Sequence, residues 1–183
     1  DELVTFNLDV ELPAGWSSVS QGTRKNYEIG VDSRHDVWVA DTPQEEIYLI
    51  SSEFTEYSQA AGVVEAMAFL RNPDSPLAQK YLDTTAQYLE MYRKLLGPYP
   101  YSKFALVENF WETGYGMPSF TLLGPRVIRF PFILHSSYPH EILHNWWGNG
   151  VYTDYEKGNW AEGLTTYLAD HLIKEQRGAA VEY

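Results

Sequence analysis

Two histidines and a glutamate in the run His140-Glu141-Ile142-Leu143-His144 have the spacing of a metal-binding helix. Residues i and i+4 lie on one helix face, one turn apart, so that the two imidazoles can meet one ion. Zinc accepts imidazole ligands, and a catalytic zinc keeps one position open for water. Glu141 is next to the first histidine and is expected to be the general base acting on that water. The alternative is a helix with two histidines and an incidental glutamate.

A third ligand has to be a histidine or a carboxylate, because the chain contains no cysteine. Glu162 is the main candidate, since it lies near the start of the next predicted helix. Asn159 and Glu162 also have capping-box spacing, so Glu162 could instead satisfy backbone donors at that helix start. Glu156 is a second candidate ligand, but it lies in a polar loop segment, and a ligand on a rigid helix is favoured. The expected site is one zinc ion per chain, held by His140 and His144, with Glu162 as the main candidate for the third ligand.

The net charge and the absence of cysteine exclude some classes of binding partner and of metal site. The 183 residues carry a formal net charge of −12 at pH 7, which disfavours binding to nucleic acid and to anionic membranes. The absence of cysteine excludes disulfides and thiolate zinc sites. No apolar run has the length of a transmembrane helix. Both the cytoplasm and the periplasm are compatible with this composition.

Elements predicted from periodicity and turn residues divide the chain into two parts. Apolar and polar residues alternate from Val4 to Leu12, which indicates a half-buried strand, and residues 1–57 are β-rich. Residues 58–183 mix both types of element. The predicted elements there are a helix from Ser75 to a stop at Gly97-Pro98, strands at 104–107, 120–123 and 127–130, and helices over 139–149 and 160–176.

The stretch from His140 to Asn149 resembles the alanyl aminopeptidase and leukotriene A4 hydrolase family of zinc peptidases, which are gluzincins. Residues outside the HExxH motif that match the family pattern are Trp146, Trp147, Gly148, Asn149, Glu162 and Gly163. The segment from Tyr88 to Lys103 matches a second family stretch. The resemblance covers about residues 60–183 and implies an α+β chain. That chain would hold the N-terminal half of a thermolysin-like catalytic domain (58–183), preceded by the end of a β-rich domain (1–57).

Two departures from the family pattern affect the expected chemistry. Residues 145–161 separate His144 from Glu162, one residue fewer than is usual in the family. The family's G-x-M-E-N stretch, whose glutamate grips the substrate α-amine, is matched by Gly116 and Met117 and then by Pro118 and Ser119. Proline cannot anchor an amine, so recognition of the substrate N-terminus is expected to be altered. The carboxylates considered as substitutes for the missing glutamate are Glu108 and Glu112.

The resemblance implies an aminopeptidase-like zinc metallopeptidase that hydrolyses peptides, with Gly116 and Met117 contacting the substrate. The strand near Phe120 is the predicted partner of an extended peptide. The family's oxyanion-stabilising tyrosine lies further downstream than this chain extends, so a C-terminal part of the same polypeptide is expected. The alternatives are a non-catalytic scaffold that keeps the fold, and hydrolysis of a non-peptide substrate.

Overall fold

Long antiparallel strands form most of the first third of the chain. The computed structural model describes residues 2–178. Strand β1 (Val4–Pro13) occupies the predicted alternating segment and pairs with β4 (Ser33–Gln44), which also pairs with β3 (Thr23–Ile29). Strands β2 (Ser17–Ser20) and β5 (Leu49–Ser52) form a separate two-stranded sheet. The β-rich character predicted for this part of the chain is confirmed.

A five-stranded mixed sheet lies at the centre of the structure. Its strands in chain order are β6 (Thr55–Ala61), β7 (Val64–Leu70), β8 (Lys103–Glu108), β9 (Gly114–Met117) and β10 (Phe120–Leu123). Their order in the sheet is β6-β7-β8-β10-β9, so β9 is an edge strand. The predicted domain boundary after residue 57 falls within β6, and the division into two domains stays a prediction.

The two faces of this sheet pack against different partners. One face carries Phe69, Val107 and Phe120 and packs around Trp38 of β4. The other face carries Phe104 and Leu106, and it packs against the helices that follow in the chain. The side chains buried on both faces remove enough apolar area from water to hold the helices firmly on the sheet. The helix that carries the HExxH motif packs against this face through Tyr138, Ile142 and Leu143.

Helix α1 spans Ser75–Leu96, as its start and stop signals predict. Asp74 Oδ1 accepts a hydrogen bond of 3.0 Å from the Leu77 amide, which caps the helix start. On the buried face, the rings of Tyr81 and Tyr138 meet edge to face with their centroids 4.8 Å apart. The long helix thus braces the segment that leads into the HExxH motif.

Two predicted elements differ from the structure. The strand predicted at 127–130 is wrong, because Val127–Arg129 forms a 3-10 turn with prolines at 125 and 131 on either side. The helix predicted over 139–149 is shorter and begins earlier: α2 spans Ser137–Leu143. The chain then leaves the helical path in a series of turns.

The last predicted helix is present in three consecutive segments. Helix α3 spans Trp160–Thr166, a π-helical turn spans Tyr167–His171, and α4 spans Leu172–Gln176. Gly178, the predicted stop, has a positive φ of 71°. Residues 179–183 of the predicted second domain lie outside the described residues. Within residues 2–178, no helix has both the length and the apolar composition that crossing a membrane requires.

Candidate metal centre

The three predicted ligands come together at one point. His140 lies on α2, and His144 directly follows the last residue of that helix. Their Nε2 atoms are 3.0 Å apart. The carboxylate of Glu162 faces both rings, at 3.3 Å from His140 Nε2 and 3.1 Å from His144 Nε2. Among residues 2–178 this is the one group of three or more potential metal ligands whose donor atoms converge, all within 4.8 Å of one another.

The donor set fits zinc. Two imidazole nitrogens and one carboxylate are the protein ligands of a common type of catalytic zinc site. His144 Nδ1 lies 3.4 Å from the Trp147 carbonyl oxygen, so a proton on Nδ1 can be donated there and the Nε2 lone pair is left for a metal. Burial lowers the pKa of His144, and the neighbouring His140 lowers it further, which favours the neutral ring that a metal needs.

At the start of α3 the cap is made by the side chain of Asn159 and not by the carboxylate of Glu162. Asn159 Oδ1 accepts a hydrogen bond of 3.4 Å from the backbone amide of Glu162, so the cap uses the main chain of Glu162. The side-chain carboxylate is left free to face the histidines. Glu156 lies in an exposed 3-10 turn, Tyr155–Lys157, outside the convergent group.

Gly148 lies against the His144 ring, where a larger residue would be crowded. It has a φ of 93°, a conformation that favours glycine, and a Cβ at this position would lie 3.1 Å from His144 Nδ1. Trp147, the preceding residue, donates a hydrogen bond of 2.7 Å from Nε1 to Thr165 Oγ1 on α3. The turns after α2 therefore connect His140 and His144 to the helix that carries Glu162.

Glu141 projects toward the edge strand. Its carboxylate lies so close to Gly116 of β9 that a Cβ added there would collide with Oε2. Burial, together with the negative charge of Glu162, raises the pKa of Glu141 to about 7. A carboxyl group with a pKa near neutrality can both take up and release a proton, as a general base and acid must.

The two residues predicted to contact substrate lie on β9 but face opposite ways. Gly116 faces Glu141, whereas the side chain of Met117 packs on the far side of the sheet with Phe120 and Trp38. The strand predicted to pair with an extended peptide is the wrong one. Phe120 belongs to β10, which is already paired with β8 on one side and β9 on the other. The strand with a free edge beside Glu141 is β9.

Both carboxylates considered as substitutes for an amine anchor have other partners. Glu108 is buried, forms a 2.8 Å ion pair with Arg129, and accepts a hydrogen bond of 2.9 Å from the Arg71 amide. Glu112 accepts a hydrogen bond of 3.1 Å from the Arg126 amide. Pro118, at the position of the family glutamate, is itself buried.

Sequence reasoning assigned no role to Asn145, the residue after the motif. Its side chain is fully buried; Nδ2 donates to the carbonyl oxygens of Glu141 at 3.2 Å and Ile142 at 3.1 Å. Its Oδ1 accepts a hydrogen bond of 2.7 Å from the Ser119 amide. The only available signal was its place directly after His144, because neither the residue type nor the spacing predicts these partners.

Known proteins provide a further comparison. No protein-family profile matches the chain. Aminopeptidase RNPEPL1 of Mus musculus is 29% identical over 182 residues, which cover 97% of this chain and 21% of the mouse protein. The Homo sapiens protein of the same name is 29% identical over 98 residues, or 51% of this chain and 14% of the human protein. The chain thus spans about a fifth of the length of the mouse relative.

Solved structures share the fold. The M1 zinc metallopeptidase of Deinococcus radiodurans superposes with a TM-score of 0.72 at 18% identity, covering 96% of this chain and 41% of that protein. A variant of that protein bound to a Tyr-Ser-Ala substrate also gives a TM-score of 0.72, at 18% identity and over 95% of this chain and 41% of that protein. Identity at this level shows a common α+β fold alone. The curated relatives and the shared fold agree with the resemblance to the alanyl aminopeptidase family of gluzincins.

Proposed function

We propose that the chain carries the catalytic zinc site of a metallopeptidase, with His140, His144 and Glu162 as zinc ligands and Glu141 as the general base. The observation that carries this proposal is the convergence of the three ligand atoms within 4.8 Å, beside a carboxylate that faces an open sheet edge. A structural pair of histidines has no need for a second carboxylate at this point. The names of the relatives and of the structural neighbours agree with a peptidase.

The chemistry follows from the residues around the metal. Zinc bound there supplies a Lewis acid that polarises the scissile carbonyl and makes water a better nucleophile. Glu141 removes a proton from the attacking water and delivers it to the departing amine nitrogen as the C–N bond breaks. That delivery regenerates the Glu141 carboxylate, and the product acid loses its own proton to the released amine or to solvent. A pKa of about 7 suits both halves of this cycle.

We propose that an extended peptide adds to the free edge of β9, where backbone groups offer strand-to-strand hydrogen bonds. The close approach of Gly116 to Glu141 brings such a peptide to the general base. Because Pro118 replaces the glutamate that the family resemblance implies, and Glu108 and Glu112 have other partners, cleavage does not depend on a free substrate α-amine. The substrate class is therefore peptides recognised mainly through their backbone.

In this proposal, residues 58–183 are the N-terminal half of a thermolysin-like catalytic domain, and residues 1–57 are the end of a β-rich domain before it. The rest of the catalytic domain belongs to other parts of a longer polypeptide. Activity should therefore be measured on the full polypeptide, and metal binding can be measured on both forms.

Plasma emission spectrometry of purified protein tests the site. We expect one zinc per chain in the wild type and in Glu141→Gln, and loss of zinc in Glu162→Ala. Peptide hydrolysis by the Glu141→Gln variant should fall by about 10²–10⁴-fold with zinc retained. N-acetylated and free-amine versions of one peptide should be cleaved at similar rates. A wild type that binds no zinc after supplementation at neutral pH would overturn the proposal, and zinc binding without hydrolysis would favour the non-catalytic scaffold.

A further inference from the structure

Lys103 is a buried lysine at the start of β8. Only 2% of its surface is exposed, and its Nζ lies 5.1 Å from the centre of the Trp38 ring and 5.5 Å from that of Phe120. Nζ donates hydrogen bonds to Ser119, at 2.6 Å to Oγ and 3.3 Å to the carbonyl oxygen. Burial lowers the pKa of Lys103 well below its ordinary value. An amine in such surroundings costs stability unless its hydrogen bonds are made.

Ser119 occupies the turn between β9 and β10 in a strained conformation. Its φ is 70°, and among residues 2–178 it is the one residue other than glycine with a positive φ. A residue with a Cβ is strained in this region, and the surrounding bonds must offset that strain. The side chain is fully buried, and its Oγ also accepts a hydrogen bond of 3.1 Å from the Gly22 amide. Lys103 and Gly22 thus hold the serine oxygen from two sides.

The hydrogen bonds continue from Ser119 to the backbone of Glu141. The Ser119 amide donates to Asn145 Oδ1 at 2.7 Å, and Asn145 Nδ2 donates to the Glu141 carbonyl oxygen at 3.2 Å. All three linking side chains are buried, so none of these bonds competes with bulk water. A continuous path therefore leads from the sheet, through the turn that ends β9, to α2.

We infer that Lys103 is a positioning residue that fixes, through Ser119 and Asn145, how far edge strand β9 lies from Glu141. This inference rests on the proposed function. The gap between Gly116 and the Glu141 carboxylate has no spare room, so a relative shift of β9 and α2 would move the base away from a peptide bound on the strand. An apolar residue of similar volume would be easier to bury than an amine. The lysine serves the geometry of the site rather than the stability of the fold.

Lys103→Met in the full polypeptide tests this inference, with Lys94→Met on the exposed face of α1 as a matched control. For Lys103→Met we expect kcat to fall by about 10²-fold, as an error of about 1 Å in alignment would produce. KM should change by less than about threefold, because the peptide still pairs with β9. Zinc content and the visible spectrum of the cobalt-substituted protein should match the wild type, because the ligands do not move. The control should match the wild type in every readout.

Ser119→Gly provides a second test that does not depend on the folding of Lys103→Met. Glycine keeps the positive φ and the amide bond to Asn145 but removes the side-chain oxygen that accepts the shorter of the two Lys103 hydrogen bonds. We expect kcat to fall by about tenfold or more with zinc retained. Unchanged kcat in this variant, or loss of zinc in parallel with kcat, would overturn the inference. Failure of the proposed function itself would be seen separately, as a wild type without zinc or without dependence on Glu141.

Discussion

Replacing Gly116 by alanine tests the close contact between edge strand β9 and the proposed general base. A Cβ at this position would collide with Glu141 Oε2, so one of the two must move. The carboxylate is the end of a flexible side chain, whereas the strand is held by its pairing with β10. We therefore expect Glu141 to move, by about 1 Å, to restore an ordinary contact distance.

The effect on activity should far exceed the effect on stability. A misplacement of about 1 Å in a reacting group can lower the rate by about 10²-fold, which corresponds to about 2.7 kcal/mol in the activation barrier. The free energy of unfolding should change by less than about 1 kcal/mol, because only a side-chain end is displaced. Gly116 does not have a positive φ, so alanine fits its backbone. The ligands do not contact the new methyl group, and zinc should be retained.

Gly114→Ala is the matched control. Gly114 is two residues earlier on β9 and so lies on the same face of the strand. Its added Cβ would meet Leu123 Cδ2 at 3.7 Å, an ordinary contact. Steady-state hydrolysis of one peptide by both variants, together with urea unfolding and metal analysis, completes the test. If Gly116→Ala keeps the kcat of Gly114→Ala, the carboxylate of Glu141 does not act where we infer that it does.

Three further predictions concern the metal, the pH dependence and the connection between the ligands. Gly148→Ala should weaken zinc binding by about tenfold in a chelator competition, because the new methyl presses on His144. The pKa of Lys103 is lower in the folded than in the unfolded protein, so between that pKa and 10.5 the unfolded chain binds more protons. The free energy of unfolding of the wild type should therefore rise with pH over this range, and urea unfolding of Lys103→Met should lack this rise. One glycine inserted directly after Gly158, outside α3, should leave zinc content unchanged. One alanine inserted directly before Glu162, inside α3, should abolish zinc binding by turning the ligand about 100° around the helix.

Much of the fold could be predicted because its elements have strong local signals. The alternation from Val4 to Leu12 and the start and stop residues of α1 are properties of neighbouring residues, and both elements are confirmed. Strand β9 has no such signal: glycines at 114 and 116 suggest a turn, and only pairing with β10 makes this segment a strand. The 3-10 turn at Val127–Arg129 was predicted as a strand because its apolar, β-branched residues are typical of strands.

In the candidate site, too, some residues could be predicted from local spacing and others could not. His140, Glu141 and His144 are fixed by helical spacing, so their proximity follows from the sequence. The contact between Glu141 and Gly116 could not be predicted, since the two lie 25 positions apart on different elements. Lys103 and Ser119 lie 37 and 21 positions before the motif, and a buried lysine is unusual enough that composition argues against it. Such links arise from packing and become visible only in the structure.

The segment between His144 and Glu162 is one residue shorter than is usual in the family, yet the cap at the start of α3 keeps Glu162 facing the histidines. A residue missing within α3 would turn Glu162 by about 100° away from the histidines, yet its carboxylate lies 3.1 Å from His144 Nε2. Asn159 sets the start of α3 through its bond to the Glu162 amide, so the angular position of Glu162 is fixed by a residue three positions away. The exposed connection before Asn159 can then change in length without rotating the ligand, because loops impose no fixed angle per residue.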